Sequence, residues 1–171
     1  MRRLPHFFWD EPLSTNHALR GHMNYWLFKS EPTTYGIDHL ARDRVTAWTG
    51  VRNYQARNFM RDAMRGGDRG LFYHSSCPQP GIAGLVEIAR AAYPDETQFD
   101  RKSRYYDPGA TIDSPRWFNV DVKFVNRTRL IPIAELRAEK ALKKMQILRR
   151  GSRLSITPVT AAEWECIMRL L

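Results

Sequence analysis

From Tyr25 onward the chain mixes apolar runs that repeat every two residues with runs that repeat every three to four, the pattern of strands interspersed with helices. Tyr25 to Lys29, YWLFK, has the aromatic density of a strand. Glu31-Pro32 ends it, because proline fixes its own φ and restricts the residue before it. Gly36 to Arg42 reads as one short helix. Arg52 to Met64 reads as a longer one, with Phe59, Met60, Ala63 and Met64 on one side and Gly66-Gly67 as the stop. Gly70 to Ser75 and Gly81 to Tyr93 follow as an antiparallel strand pair around Pro78 and Pro80. Arg116 to Val125 sets Trp117, Asn119, Asp121 and Lys123 against Phe118, Val120, Val122 and Phe124, and that period of two predicts a strand with one face in the core. A mixed helical stretch covers Ile133 to Arg150. The last helix begins at Thr160, where Thr160 and Glu163 fit a capping box and Trp164, Ile167, Met168 and Leu171 share the buried face.

No internal repeat or low-complexity block interrupts this order, so residues 23–171 are expected to form one compact α+β domain. Residues 1–22 are broken by Pro5, Pro12, Asn16 and Gly21 and are expected to be a flexible extension, with Met23 as an alternative start. Asp10 and Glu11 interrupt the apolar stretch that a secretory signal needs. Cys77 and Cys166 are too few for a disulfide framework and lack zinc-ligand spacing, so two ordinary thiols in a reducing compartment are expected. His6, His17 and His22 are too irregularly spaced for a metal and read as solvated. No run approaches the roughly 18 apolar residues of a membrane span. A soluble cytoplasmic protein with no membrane partner is expected, nuclear if the source is eukaryotic.

Charge changes the picture. The chain carries +9 at pH 7, which favours an anionic partner, most simply nucleic acid. Residues 1–22 hold Arg2, Arg3 and Arg20 against Asp10 and Glu11, a net of +1, so the excess belongs to the folded part.

The densest candidate chemistry is WTGVRNYQARN, Trp48 to Asn58, which places an indole, an amide and two arginines around one turn. Trp48 offers a π face, Asn53 a donor and an acceptor for a base edge, and Arg52 and Arg57 can meet phosphate. A nucleotide fits that set best; the competing reading is a core tryptophan beside a solvated basic face. Arg57, Arg61 and Arg65 recur every four residues and would form one basic stripe along a helix. Lys143, Lys144, Arg149, Arg150 and Arg153 make the densest basic cluster, read as an electrostatic lip beside a site or as the exposed side of a packed helix. For catalysis the sequence offers little. His74, Ser75, Ser76 and Cys77 are strand neighbours pointing to opposite faces, and Asp95, Asp100, Asp107 and Asp113 are scattered rather than paired. Neither a phosphate-cradling glycine loop nor a dinucleotide fingerprint occurs, and no enzyme activity and no cofactor are expected.

KSEP at Lys29 to Pro32, WTGVRNYQARNFMR at Trp48 to Arg61, LFYHS at Leu71 to Ser75, TQFD at Thr97 to Asp100, PRW at Pro115 to Trp117 and LSITPVT at Leu154 to Thr160 together closely resemble the EVE domain, in the family's order and over Asn24 to about Leu170. The resemblance implies a PUA-like mixed β-barrel flanked by helices, related to the YTH readers of methylated adenine in RNA. It also implies a binding module for modified bases, with 5-methylcytosine-type bases in DNA favoured. Carried over, Trp48 is a wall of the base cage and Asn53 a base-edge partner, with Lys29 and Ser30 at the rim, His74 and Ser75 closing the pocket and Tyr54 beside them. Arg52, Arg57, Arg61, Lys143, Lys144, Arg149 and Arg150 are the expected phosphate contacts. Two alternatives stay open: an RNA-binding protein in RNA modification or processing, either catalytic or delivering a partner enzyme, and a domain for small molecules or nucleotides. DNA against RNA, a partner nuclease or other effector, and the oligomeric state are not fixed by the sequence.

Overall fold

The computed structural model describes residues 23–171; the readings of residues 1–22, their histidines included, lie outside the described residues. Strand β1 spans Tyr25–Ser30, and Pro32 then sits in the first turn of α1, Pro32–Tyr35, where a missing N–H costs nothing. Helix α2 is Ile37–Asp43, the short strand β2 is Val45–Ala47 and α3 is Tyr54–Asn58. Strands β3, Arg69–His74, β4, Gly81–Pro94, and β5, Phe118–Pro132, form the centre of the sheet. Helix α4 is Ile133–Ala138, strand β6 is Ile156–Val159 and α5 is Ala161–Leu170. The expected capping box opens α5: Thr160 Oγ1 accepts from the Glu163 N–H, and the Glu163 carboxylate accepts from the Thr160 N–H.

The six strands lie in the order β2-β5-β4-β3-β1-β6, with β1 and β3 parallel and the other pairs antiparallel. The β3–β4 pair confirms the antiparallel reading. The α+β class holds, but the expected barrel does not: the sheet is open, and β2 and β6, three and four residues long, are its edges. The end strands β2 and β6 pair with β5 and β1 and not with each other, so the sheet does not close. Phe28 and Phe72 enter one core cluster while Leu27, Leu71 and Tyr73 enter the other, so both faces are apolar and each needs its own cover. Leu40, Met60 and Met64 cover the first face; Leu136, Leu142, Met145, Trp164 and Ile167 cover the second.

Three local expectations are corrected. The Arg52–Met64 helix is α-helical only over Tyr54–Asn58, then widens to a π turn, Phe59–Ala63, in which the Met64 N–H donates to the Phe59 carbonyl at 3.0 Å. Five residues per closure instead of four breaks the Arg57, Arg61, Arg65 stripe. The Ile133–Arg150 stretch is α4 followed by two 3₁₀ turns, Lys140–Leu142 and Gln146–Leu148, which bury Leu142 and Ile147 and leave Lys143, Lys144, Arg149 and Arg150 exposed. In β5 the second face is not all solvent, because Asn119 is as buried as Val120. Among the described residues no helix is long and apolar enough to cross a membrane.

Candidate functional site

A cleft of about 580 Å³ opens where the chain leaves β2, a size usual for ligand sites. Trp48 forms part of its wall, with Lys29, Ser30, Arg52 and Asn53, all expected site residues. Trp48 continues the edge of the sheet, its N–H donating to the Val120 carbonyl at 2.8 Å. Its ring packs T-shaped on Phe28 and Phe72, with centroids 5.1 and 5.7 Å away. The core therefore seats the ring, and its remaining surface lines the cleft. Tyr35, Tyr105, Thr34, Thr46, Thr49 and Ser155 also line it and were not expected as site residues, although Thr49 lies within WTGVRNYQARN and Ser155 within LSITPVT.

Asn53 is the N-cap of α3, its Oδ1 accepting from the Ala56 N–H at 3.0 Å. One lone pair of the acceptor is thus taken by the cap, and the amide NH₂ stays available to donate. Lys29 is half-buried at the rim; its Nζ donates to the Ser152 carbonyl at 3.3 Å, and burial lowers its pKa below the usual lysine range.

Arg52 lines the cleft with no donor to spare. Its five N–H groups reach the Asp95 carboxylate at 2.9 Å, Thr97 Oγ1 at 3.0 Å, the Val51 carbonyl, and the Tyr105 carbonyl twice, at 2.9 and 2.6 Å. A phosphate would have to displace one of these partners, so the geometry gives Arg52 a positioning task. The Asp95 side chain, fully buried, also accepts from the Gly50 N–H at 2.9 Å and from both donors of Thr97. Gln98 ties the loop shut from below: its NH₂ donates to the Asp95 and Trp117 carbonyls and its Oε1 accepts from the Arg116 and Trp117 N–H groups. The TQFD and PRW motifs are therefore parts of one brace behind the cleft. Gly50 has φ +76°, and a Cβ there would meet the Tyr105 ring at 2.5 Å, so the glycine lets that ring close the wall.

The structure separates the remaining expected residues from the cleft. Tyr54, His74 and Ser75 do not line it. Ser75 turns inward, its N–H donating to the Ser30 carbonyl at 2.9 Å. His74 Nε2 accepts from the Ile37 N–H at 3.1 Å, satisfying the start of α2. Arg57 donates to the Arg116 carbonyl at 2.8 Å and lies beside Tyr54, while Arg61 pairs with Asp62 at 2.6 Å on the surface. Lys143, Lys144, Arg149 and Arg150 are exposed, and the last two precede the stretch whose Ser155 reaches the cleft. Among the described residues no group of three or more histidine, cysteine or acidic side chains is placed to hold a metal.

Burial pulls the His74 imidazole below its usual range, and the weaker pull of Asp38 opposes it. With the folded pKa depressed, the contact contributes stability above the unfolded value of about 6.5 and loses it as pH falls through the folded value. Protonation of Nε2 removes the acceptor of the Ile37 N–H. Thermal melts between pH 7.5 and 4.5 should therefore show a loss of Tm beginning below pH 6.5 that His74→Gln lacks; parallel profiles would disprove the link.

Residues 24–170 match the EVE domain family. Human thymocyte nuclear protein 1 is 44% identical over 177 residues, covering 92% of this chain and 78% of its own length. Among solved structures, a Pseudomonas putida protein superposes with a TM-score of 0.82 at 50% identity, covering 85% of this chain and 98% of its own. Human THYN1 protein, crystallised in complex with 5-methylcytosine-containing DNA, superposes with a TM-score of 0.80 at 43% identity, covering 86% of this chain and 96% of its own.

Proposed function

We propose, from the premise that this chain belongs to the EVE domain family, that it is a nucleic-acid-binding module holding a flipped-out modified base against Trp48, a 5-methylcytosine type in DNA being favoured. The observation that carries this is the Trp48 cleft itself, an indole wall with an amide donor and a lysine at its mouth, in a chain of +9 charge. The human relative solved with 5-methylcytosine-containing DNA supports the choice of ligand. Removing a base from a duplex costs a few kcal/mol and stacking on an aromatic ring returns about 1 to 3 kcal/mol, so stacking alone barely breaks even. The Asn53 amide and phosphate contacts from exposed cations, Arg149 and Arg150 among them, supply the difference. A buried methyl adds about 0.8 kcal/mol, about fourfold in affinity, and any sharper discrimination comes from how badly the cleft fits the bare base.

The test is a titration near physiological salt with matched single- and double-stranded oligonucleotides carrying cytosine, 5-methylcytosine, 5-hydroxymethylcytosine or N6-methyladenine. The expected result is a preference of at least about fourfold for a modified cytosine, with affinity falling steeply as salt rises. Equal binding across the panel would leave only a basic surface and reject the reading. The same panel made of RNA separates the alternative, a protein of RNA modification or processing, which would prefer the ribose form.

A further inference from the structure

Tyr54 sits one residue beyond the cleft wall and presents its ring elsewhere. The residue is 56% exposed, yet its ring is stacked on Trp117, with centroids 4.9 Å apart and planes 26° from parallel. Trp117 is 6% exposed, so one face of Tyr54 rests on a buried ring and the other is left to solvent. Arg57 does not cover that outer face. Its guanidinium carbon is 4.9 Å from the Tyr54 centroid and 5.9 Å from that of Trp117, whereas a group above the outer face would lie nearly two ring spacings from Trp117. It stands beside the pair, fixed by donation to the Arg116 carbonyl and Asn58 Oδ1, each at 2.8 Å. The exposed Arg61 lies over Phe118 at 6.0 Å, and the Arg116 side chain is exposed as well. The protein thus builds a two-ring stack whose outer end is exposed, flanked by Arg57 and by two exposed arginines that also carry carboxylate partners, Arg61 with Asp62 at 2.6 Å and Arg116 with Asp107 at 3.7 Å. Packing alone leaves the exposed half of the ring unexplained; a flat ligand attached to negative charge explains ring and cations together.

We propose that Tyr54 is a second stacking platform, which receives the nucleobase next along the strand to the one held at Trp48, with Arg57 and Arg116 meeting the backbone phosphate between them. The proposal rests on the base-binding reading of the cleft. Continuity supports this occupant: Asn53 lines the cleft and Tyr54 is the next residue of the chain. A strand leaving the cleft past Asn53 meets the open Tyr54 face at once. Stacking reads no base edge, so the platform contributes affinity and leaves the choice of modification to the cleft.

The experiment uses single-stranded oligonucleotides with one 5-methylcytosine or cytosine and 2-aminopurine on its 5′ or its 3′ side, titrated against the full chain and the Tyr54→Ala, Tyr54→Leu and Tyr54→Phe variants, with melts to establish folding. With the intact protein, 2-aminopurine fluorescence should be quenched on one of the two sides. Tyr54→Ala and Tyr54→Leu should abolish that quenching and weaken both oligonucleotides about 5- to 150-fold, leaving their ratio unchanged, while Tyr54→Phe keeps both properties. Unchanged affinity and quenching in folded Tyr54→Ala or Tyr54→Leu would overturn the platform, whatever the modification preference. A wild-type protein without modification preference that still loses quenching in Tyr54→Ala would reject the cleft reading and keep the platform.

Discussion

Trp48→Ala is expected to erase the preference for a modified base while leaving most of the salt-dependent affinity. The indole is the largest aromatic ring among the cleft's lining residues, and losing a base stack costs about 1 to 3 kcal/mol, or about 5- to 150-fold. That loss falls only on a base inside the cleft. Phosphate contacts at exposed cations are untouched, so the slope of affinity against salt should match that of the unaltered protein. The substitution also removes the T-shaped contacts with Phe28 and Phe72, so stability falls, and Trp48→Phe is the control that keeps a ring. Titration of both variants with the modified-cytosine panel decides the matter. A preference that survives in a folded Trp48→Ala protein would remove Trp48 from the recognition site.

Asn53 shows how far a sequence carries such a site. Its side chain was legible as polar chemistry in a turn, yet the same residue type is also a favoured helix N-cap, and capping uses the oxygen. Arg52 was legible as a cation beside the tryptophan. Its partner Asp95 lies 43 residues away, and no local pattern announces that five donors will be consumed by a brace. His74 was carried to the pocket by its motif, whereas the register of β1 with β3 pairs it with Ser30 and turns its ring to the start of α2. The fold followed the same rule. Strands and helices with strong local periodicity were readable, including the capped α5. The three-residue β2 was not, because a run that short carries no period and its pairing with β5 is what defines it. The barrel expectation came from family resemblance, and it fails because the edge strands β2 and β6 do not pair with each other, a long-range property that no local pattern displays.

Because the brace is built on one charge pair, Arg52→Ala is expected to be the most destabilising change near the cleft. The Asp95 side chain is fully buried and that of Arg52 is 21% exposed. Removing the arginine leaves a buried carboxylate held by neutral donors from Gly50 and Thr97, and breaking such a pair from one side costs about 3 to 5 kcal/mol. For a chain of this size that corresponds to a fall in Tm of about 6 to 20 °C. Asp95→Asn should cost less, because the exposed edge of Arg52 can find water. The double variant should recover part of the loss in Arg52→Ala, as coupled partners do. Acid supplies an independent check. Burial raises the Asp95 pKa, but hydrogen bonds from Thr97, Arg52 and the Gly50 N–H outweigh it, and the carboxyl is held below its usual range. A depressed folded pKa contributes stability above the unfolded value of about 3.9 and loses it as pH falls through the folded value. In Arg52→Ala the share of that contribution supplied by Arg52 is gone while the Thr97 and Gly50 bonds remain, and protonation in acid relieves the charge left without its cation. The gap in Tm between the two proteins should therefore narrow from pH 7 towards pH 3; a gap independent of pH would show that Arg52 stabilises the cleft through packing and not through Asp95.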